Sequence, residues 1–188
     1  MATPVTDTSS APDGSERRSR LRQYQVQLLE RMQAAKSGAA AAGRELGVLV
    51  GERRCLLDLT QVSEIVPLQP LAQVPLTQDW YLGLANIRGN LTGVIDLARY
   101  MGGPVTPVGA EQRLVNFAPG LQFNCALLVG RVLGLRRLDE MDSDAAAGLE
   151  AQDAPWCEQH FLDHDGQRWT RIDLAELVKA TRFLQVGL

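Results

Sequence analysis

From residue 46 to residue 59 apolar and polar side chains alternate on both sides of a break. Leu46, Val48 and Val50 precede the break at 51–53, and Cys55, Leu57 and Leu59 follow it. A period of two puts alternate side chains on one face of a strand, so this stretch predicts a β-hairpin. Val62, Ile65 and Val66 form a short apolar segment that ends at Pro67, and Pro67, Pro70 and Pro75 mark a loop. After the loop come an aromatic pair, Trp80 and Tyr81, an expected turn at Gly83, and Asn86, Arg88 and Gly89 within one short segment. The stretch Leu91 to Ile95 reads as a strand in which Leu91, Gly93 and Ile95 face one way and Thr92 and Val94 the other. A short helix follows. Asp96 has a side chain suited to an N-cap, Leu97, Ala98, Tyr100 and Met101 supply the helix, and Gly102 and Gly103 stop it.

The second half repeats this order. A hairpin is predicted from Leu114–Phe117 and Leu121–Val129 around Pro119-Gly120, then a Gly-interrupted apolar run from Val132 to Leu138. Residues 139–153 are acidic and Ala-rich and predict a short helix or a loop. A third hairpin turns at Asp165-Gly166, between residues 160–162 and 168–172. It leads into Ile172-Asp173-Leu174-Ala175, which matches Ile95-Asp96-Leu97-Ala98 residue for residue. Two halves that each run hairpin, connection, strand, Asp cap and helix imply two similar lobes, each a small closed sheet that hides its edges.

The N-terminal part departs from this pattern. Residues 1–15 are polar and rich in Pro, Ser and Thr, with too little apolar surface to offset ordering entropy, and are expected to be disordered. From Glu16 to Lys36 the residues Leu21, Tyr24, Leu28, Met32 and Ala35 recur at helical spacing, flanked by Arg17, Arg18, Arg20, Arg22 and Arg31. This predicts an amphipathic helix that either folds back on its own domain or docks on a partner or a membrane surface. Ser37 to Gly43 reads as a linker, so the expected organisation is 1–43 as tail, helix and linker and 44–188 as the two-lobed domain.

Composition narrows the function classes. At 188 residues and 45% hydrophobic content the chain suits one domain or two lobes on a common core, and 17 Gly with 9 Pro suit many short strands. A net charge of −3 provides no general attraction to phosphate backbones. The three cysteines, Cys55, Cys125 and Cys157, are scattered and read as reduced core thiols. No apolar run approaches the roughly 18 to 20 residues of a membrane helix, and the N-terminus lacks a signal-peptide centre. The expected location is the cytoplasm, with no direct membrane insertion.

Cys157, His160 and His164 form the one group with metal-like spacing, but a hairpin turn at Asp165-Gly166 keeps the two histidines off a common helical face, so no metal is expected. Gly102-Gly103-Pro104 follows a helix, whereas a phosphate-binding glycine loop precedes one. No nucleophile elbow or zinc-protease helix is present. The expectation is a protein without enzymatic activity and without a cofactor. Trp80, Trp156 and Trp169 are candidates for protein contacts or for core packing.

The ordered set Gly83, Asn86 to Gly89 and Ile95 to Leu97, flanked by Val62, Glu64, Ile65 and Ile172 to Leu174, resembles the CheW-like adaptor family over residues 45–182. One departure is Gly93, where the family often carries Pro. The resemblance implies a mainly β fold of two five-stranded barrels packed together. It also implies a scaffold linking the cytoplasmic tip of a methyl-accepting chemoreceptor to the regulatory domain of a histidine kinase, recruited to receptor arrays by its partners. The long N-terminal segment is similar to the branch that serves type IV pili and twitching motility. Val62, Glu64, Gly83, Asn86, Arg88 and Gly89 are the positions that the resemblance assigns to partner binding, with Glu64 and Arg88 as an ion pair. The competing reading is a stand-alone β-barrel module that binds a small ligand or nucleic acid, which would need a basic, aromatic-lined face that the 5% aromatic content does not favour.

If 44–188 is self-sufficient, deleting residues 1–42 leaves a cooperative unfolding transition of similar midpoint. A loss of several kcal/mol would place Leu21, Tyr24, Leu28 and Met32 in the core, since each fully buried apolar side chain contributes roughly 1.5–3 kcal/mol.

Overall fold

The computed structural model describes residues 43–106, 109–144, 154–157 and 159–188; the expected tail and amphipathic helix, and residues 145–153 of the acidic stretch, lie outside them. The first expected hairpin is β1 (Arg44–Val50) and β2 (Arg53–Asp58). There follow β3 (Val62–Pro67), β4 (Leu71–Ala72), β5 (Tyr81–Ile87), β6 (Asn90–Asp96) and a one-turn helix, α1 (Leu97–Tyr100). The second half contains β7 (Arg113–Phe117), β8 (Cys125–Val129), β9 (Arg131–Arg137), β10 (Asp142–Ser143), β11 (Gln159–Leu162) and β12 (Arg168–Ile172). Two short helices close it, α2 (Leu174–Leu177) and α3 (Thr181–Leu184).

The strands make two six-stranded sheets, ordered β10-β11-β12-β2-β1-β9 and β4-β5-β6-β8-β7-β3. Position by position the two orders are equivalent, and each sheet has one parallel pair, β12 with β2 and β6 with β8. Each is therefore the expected five-stranded unit with a two-residue strand, β4 or β10, added at one edge. The lobes do not coincide with the halves of the chain. Hairpin β1–β2 pairs into the sheet of β9–β12, and β7–β8 pairs into the sheet of β3–β6. A turn of 3₁₀ helix at Leu59–Gln61 carries the chain from one sheet to the other.

The β3–β8 sheet is rolled. Val66, Leu71, Ala85, Ile87, Val94, Leu114, Ala126 and Leu128, drawn from all six of its strands, pack into one cluster. Its other face, with Ile95, Val115, Phe117, Leu127 and Val129, packs against Leu46, Val48, Val50, Cys55 and Leu57 of the second sheet and against α1 and α2. A strand covered on both faces has no polar side to show, which is why β8 reads CALLV without alternation. Trp80 and Trp156 lie in this shared core, Trp80 edge-on to Tyr100 at 5.1 Å and stacked on Phe183 at 6.0 Å. Trp169 is also buried, packed so closely over Gly47 that a Cβ there would stand 3.0 Å from the indole. All three tryptophans are thus core residues.

The duplicated Ile-Asp-Leu-Ala segments take the same conformation, with Asp96 at φ −85°, ψ 98° and Asp173 at φ −87°, ψ 105°. Each carboxylate accepts from two amide groups of the following turn, as an N-cap should. Asp96, fully buried, also accepts from the Thr106 amide at 3.0 Å and the Thr106 hydroxyl at 2.8 Å. Asp173 instead accepts from Gln61 Nε2 at 3.0 Å, and Gln61 Oε1 accepts from the Leu174 amide at 2.7 Å, which ties the crossover turn to α2.

Removal of a cap costs about 1 kcal/mol and each buried donor left without a partner a further 1–3 kcal/mol. Asp96→Ala is therefore expected to lower the urea-unfolding free energy by roughly 2–4 kcal/mol. Asp173→Ala is expected to cost less, because the groups it leaves are only partly buried. Equal losses in the two variants would overturn this account.

Candidate functional site

The Asn86 to Gly89 motif is the β5–β6 turn. Ile87 pairs with Asn90, so the loop contains only Arg88 and Gly89, both at positive φ, 50° and 88°. Such a two-residue loop matches the twist of the flanking strands, and Gly89 adopts the conformation without penalty. Arg88, with a Cβ, does not. The Asn86 carboxamide oxygen accepts from the Gly89 amide at 2.8 Å and fixes the turn.

This turn presents Arg88 to β3, the strand at the opposite edge of the same sheet. Arg88 Nε lies 2.8 Å from Glu64 Oε2, so the pair spans the seam where the rolled sheet brings its two edges together. The atoms are close but not aligned as a hydrogen bond. The Arg88 side chain is 78% exposed and that of Glu64 24%, placing the pair at a rim. A bulge between Val62 and Glu64 offsets the register against β7, and the intervening Ser63 hydroxyl donates to the Asn116 carbonyl at 3.3 Å. Val62 is half-buried and packs on the shared core.

Gly83 is not a turn and not part of this surface. It lies inside β5, buried, at φ 120° beside a bulge, and a Cβ on it would stand 2.2 Å from the Ala72 carbonyl oxygen. Its role is to let β4 approach. Two residues that sequence reasoning left out do join the rim: Leu91, opposite Asn86, is 61% exposed, and Ile65, next to Glu64, is 39% exposed. The signal was available for Leu91, which begins an otherwise buried alternation at the strand end where the core stops. The family departure at Gly93 has a local reason. The Gly93 amide donates to the Asn124 carbonyl at 3.3 Å, a bond Pro cannot make, and the Tyr81 ring covers the space that a side chain would fill.

Among the described residues no group of His, Cys, Asp and Glu is arranged to hold a metal ion, and Cys157, His160 and His164 are not brought together. His160 Nδ1 contacts the Thr170 hydroxyl at 3.1 Å instead. Burial pushes the Cys55 and Cys125 thiols up to about 12, which leaves them unreactive. Asp163 is a turn former: it accepts from Trp169 Nε1 at 2.9 Å and from the Asp165 and Gln167 amides, and these bonds hold its carboxyl below the ordinary value. Among the described residues no helix is long and apolar enough to cross a membrane.

Comparison with known proteins gives a match to the CheW-like domain family over residues 45–182. The chain is 26% identical to the protein PilI of Pseudomonas aeruginosa over 155 residues, which cover 82% of this chain and 85% of that protein. It is similar in structure to the scaffolding protein TtCheW from Thermoanaerobacter tengcongensis, with a TM-score of 0.58 and 19% identity, over 70% of this chain and 88% of that one. This last likeness is one of fold.

An ion pair this exposed contributes at most about 1 kcal/mol, so Arg88→Ala and Glu64→Ala are each expected to shift the unfolding free energy by less than that. Gly83→Ala, forced into a conformation that costs roughly 1–3 kcal/mol before any clash, should be the more damaging change. Urea titrations of the three variants check the order, and a neutral Gly83→Ala would refute the assignment of Gly83 to folding.

Proposed function

Since the chain belongs to the CheW-like domain family, we propose that it is a non-enzymatic scaffold that joins the cytoplasmic tip of a chemoreceptor to the regulatory domain of a histidine kinase. The observation that carries this reading is the Arg88–Glu64 rim, where a strained turn holds an exposed charge on a lobe whose strands also expose the apolar Ile65 and Leu91. An exposed charge on a lobe whose neighbouring strands also expose apolar side chains suits a protein contact, in which a few residues supply most of the binding energy. The similarity to PilI favours a system that governs type IV pili and twitching motility. In this reading the protein acts in the cytoplasm and reaches the membrane through its receptor.

The mechanism is geometric. The two sheets share one core without an intervening linker, so a displacement imposed at the rim of one lobe is passed to the other as a rigid-body movement. One lobe would engage the kinase and the other the receptor, and the scaffold would convert receptor motion into kinase activity without chemistry of its own.

Binding of purified kinase regulatory domain and receptor-tip fragments, with competing DNA present, tests the proposal. Arg88→Ala is expected to weaken affinity for one of them about tenfold, close to 1.4 kcal/mol, while leaving the unfolding midpoint nearly unchanged. Combining it with Glu64→Ala should add little if the pair acts as a unit. Absence of binding to both fragments, or strictly additive losses, would defeat the proposal.

A further inference from the structure

A second feature lies away from the Arg88 rim, on the other lobe. An open pocket of about 410 Å³ is lined by the β1–β2 turn, the start of β2 and the β11–β12 hairpin. Arg53, Arg54 and Arg168 line it, with Glu52, His160 and Thr170. Three arginines therefore line one pocket of a protein whose net charge is −3.

Their existing contacts leave part of that charge unused. Arg54 is committed, because its Nε donates to Gln167 Oε1 at 3.3 Å and its guanidinium lies over the Trp169 ring at 5.8 Å. Arg168 Nε is bonded to Asp144 Oδ2 at 3.0 Å, yet its side chain is 63% exposed and, among the described residues, its terminal nitrogens make no ion pair. Arg53 is exposed and, among the described residues, forms no ion pair. His160 stands between these groups. Its Nδ1 is engaged by Thr170, its Nε2 has no hydrogen-bond partner among the described residues, and the ring feels the positive charge of Arg168 and Arg53 and the negative charge of Asp144.

We infer that this pocket binds a doubly charged oxyanion of the phosphate type, held between Arg53 and the free edge of Arg168. Guanidinium groups present paired N–H donors that match two oxygens of such an ion. A single carboxylate would duplicate what Asp144 already supplies to Arg168, whereas a dianion has a further charge and further oxygens for Arg53. The volume exceeds that of the bare ion and suits a small phosphate ester, with Glu52 and Thr170 as polar contacts for the hydroxyl groups of such a molecule.

His160 reports on occupancy. Burial, Arg168 and Arg53 together hold its imidazole below the ordinary histidine value, with Asp144 opposing them. An anion placed among these cations favours the imidazolium, so binding raises the value and, by linkage, is tighter at acid pH. Only two histidines are present, and His164, exposed in the β11–β12 turn, is an internal control.

The test is an NMR titration of both imidazoles in the full chain, in chloride and then with sulfate, glycerol 3-phosphate or acetate added at constant ionic strength. Sulfate stays doubly charged across the range and separates ion binding from titration of the ligand. The expected result is an upward shift of the His160 midpoint with sulfate and with glycerol 3-phosphate, none with acetate, and no movement of His164. Arg53→Gln, a change in the exposed first residue of β2, should weaken sulfate binding at least tenfold. Tighter binding of glycerol 3-phosphate than of sulfate would identify an ester as the ligand, and equal binding a free oxyanion. No shift at His160, equal shifts at both histidines, an equal response to acetate, or full retention in Arg53→Gln would each overturn the inference.

Discussion

The structure depends on an exchange of hairpins. Each sheet is completed by a parallel strand from the other half of the chain, β2 beside β12 and β8 beside β6. Parallel pairing requires a long connection, and here α1 and β7 intervene between β6 and β8 and strands β3 to β11 between β2 and β12. The first half of the chain thus lacks β7 and β8 for its own sheet, while the second lacks β1 and β2. The chain crosses between the sheets at Leu59–Gln61 and again after β8, where Gly130 donates to the Leu49 carbonyl at 2.8 Å. The two lobes are consequently one cooperative object, and the shared core around Trp80, Tyr100 and Phe183 is the physical form of that coupling.

Polar groups inside this assembly are matched to the same exchange. Arg171 on β12 reaches Glu45 on β1 at 3.0 Å, Asp58 at the end of β2 at 3.3 Å and Gln159 on β11 at 3.2 Å, so one guanidinium links four neighbouring strands drawn from both ends of the chain. Glu45 is almost wholly removed from solvent, and burial raises its carboxyl above the ordinary value even though Arg171 opposes the shift. Desolvation thus outweighs attraction at this site, as is common for buried pairs. The cluster specifies which strands meet; the apolar core supplies the stability.

Local signals in the sequence gave way to the fold where long-range pairing took over. The hairpin strands, the Asp96 and Asp173 caps and the Asp165-Gly166 turn follow from side chains within a few residues of one another and were legible. The hairpin exchange was not, because the repeated order of elements is the same whether each half closes on itself or on the other. Gly83 was misread for the same reason. A glycine after an aromatic pair looks like a turn, and only the approach of Ala72 from β4 explains it. Strands of two residues such as β4 and β10 have no period to detect. The pairing of Glu64 with Arg88 came from family resemblance alone, since periodicity says nothing about which strand edge a turn will meet.

The cost of the Arg88 turn bears on what the rim is for. A left-handed residue with a Cβ is unfavourable, and an ion pair whose arginine is 78% exposed returns little in folding free energy. Glycine at position 88 would relieve the backbone and forfeit only that small contribution. The strained arginine is therefore poorly explained by stability. It is explained by placement, because the turn sets the guanidinium at the seam within 2.8 Å of the Glu64 carboxylate. Orientation is what a binding surface requires in advance, since a side chain already fixed loses less entropy when a partner arrives.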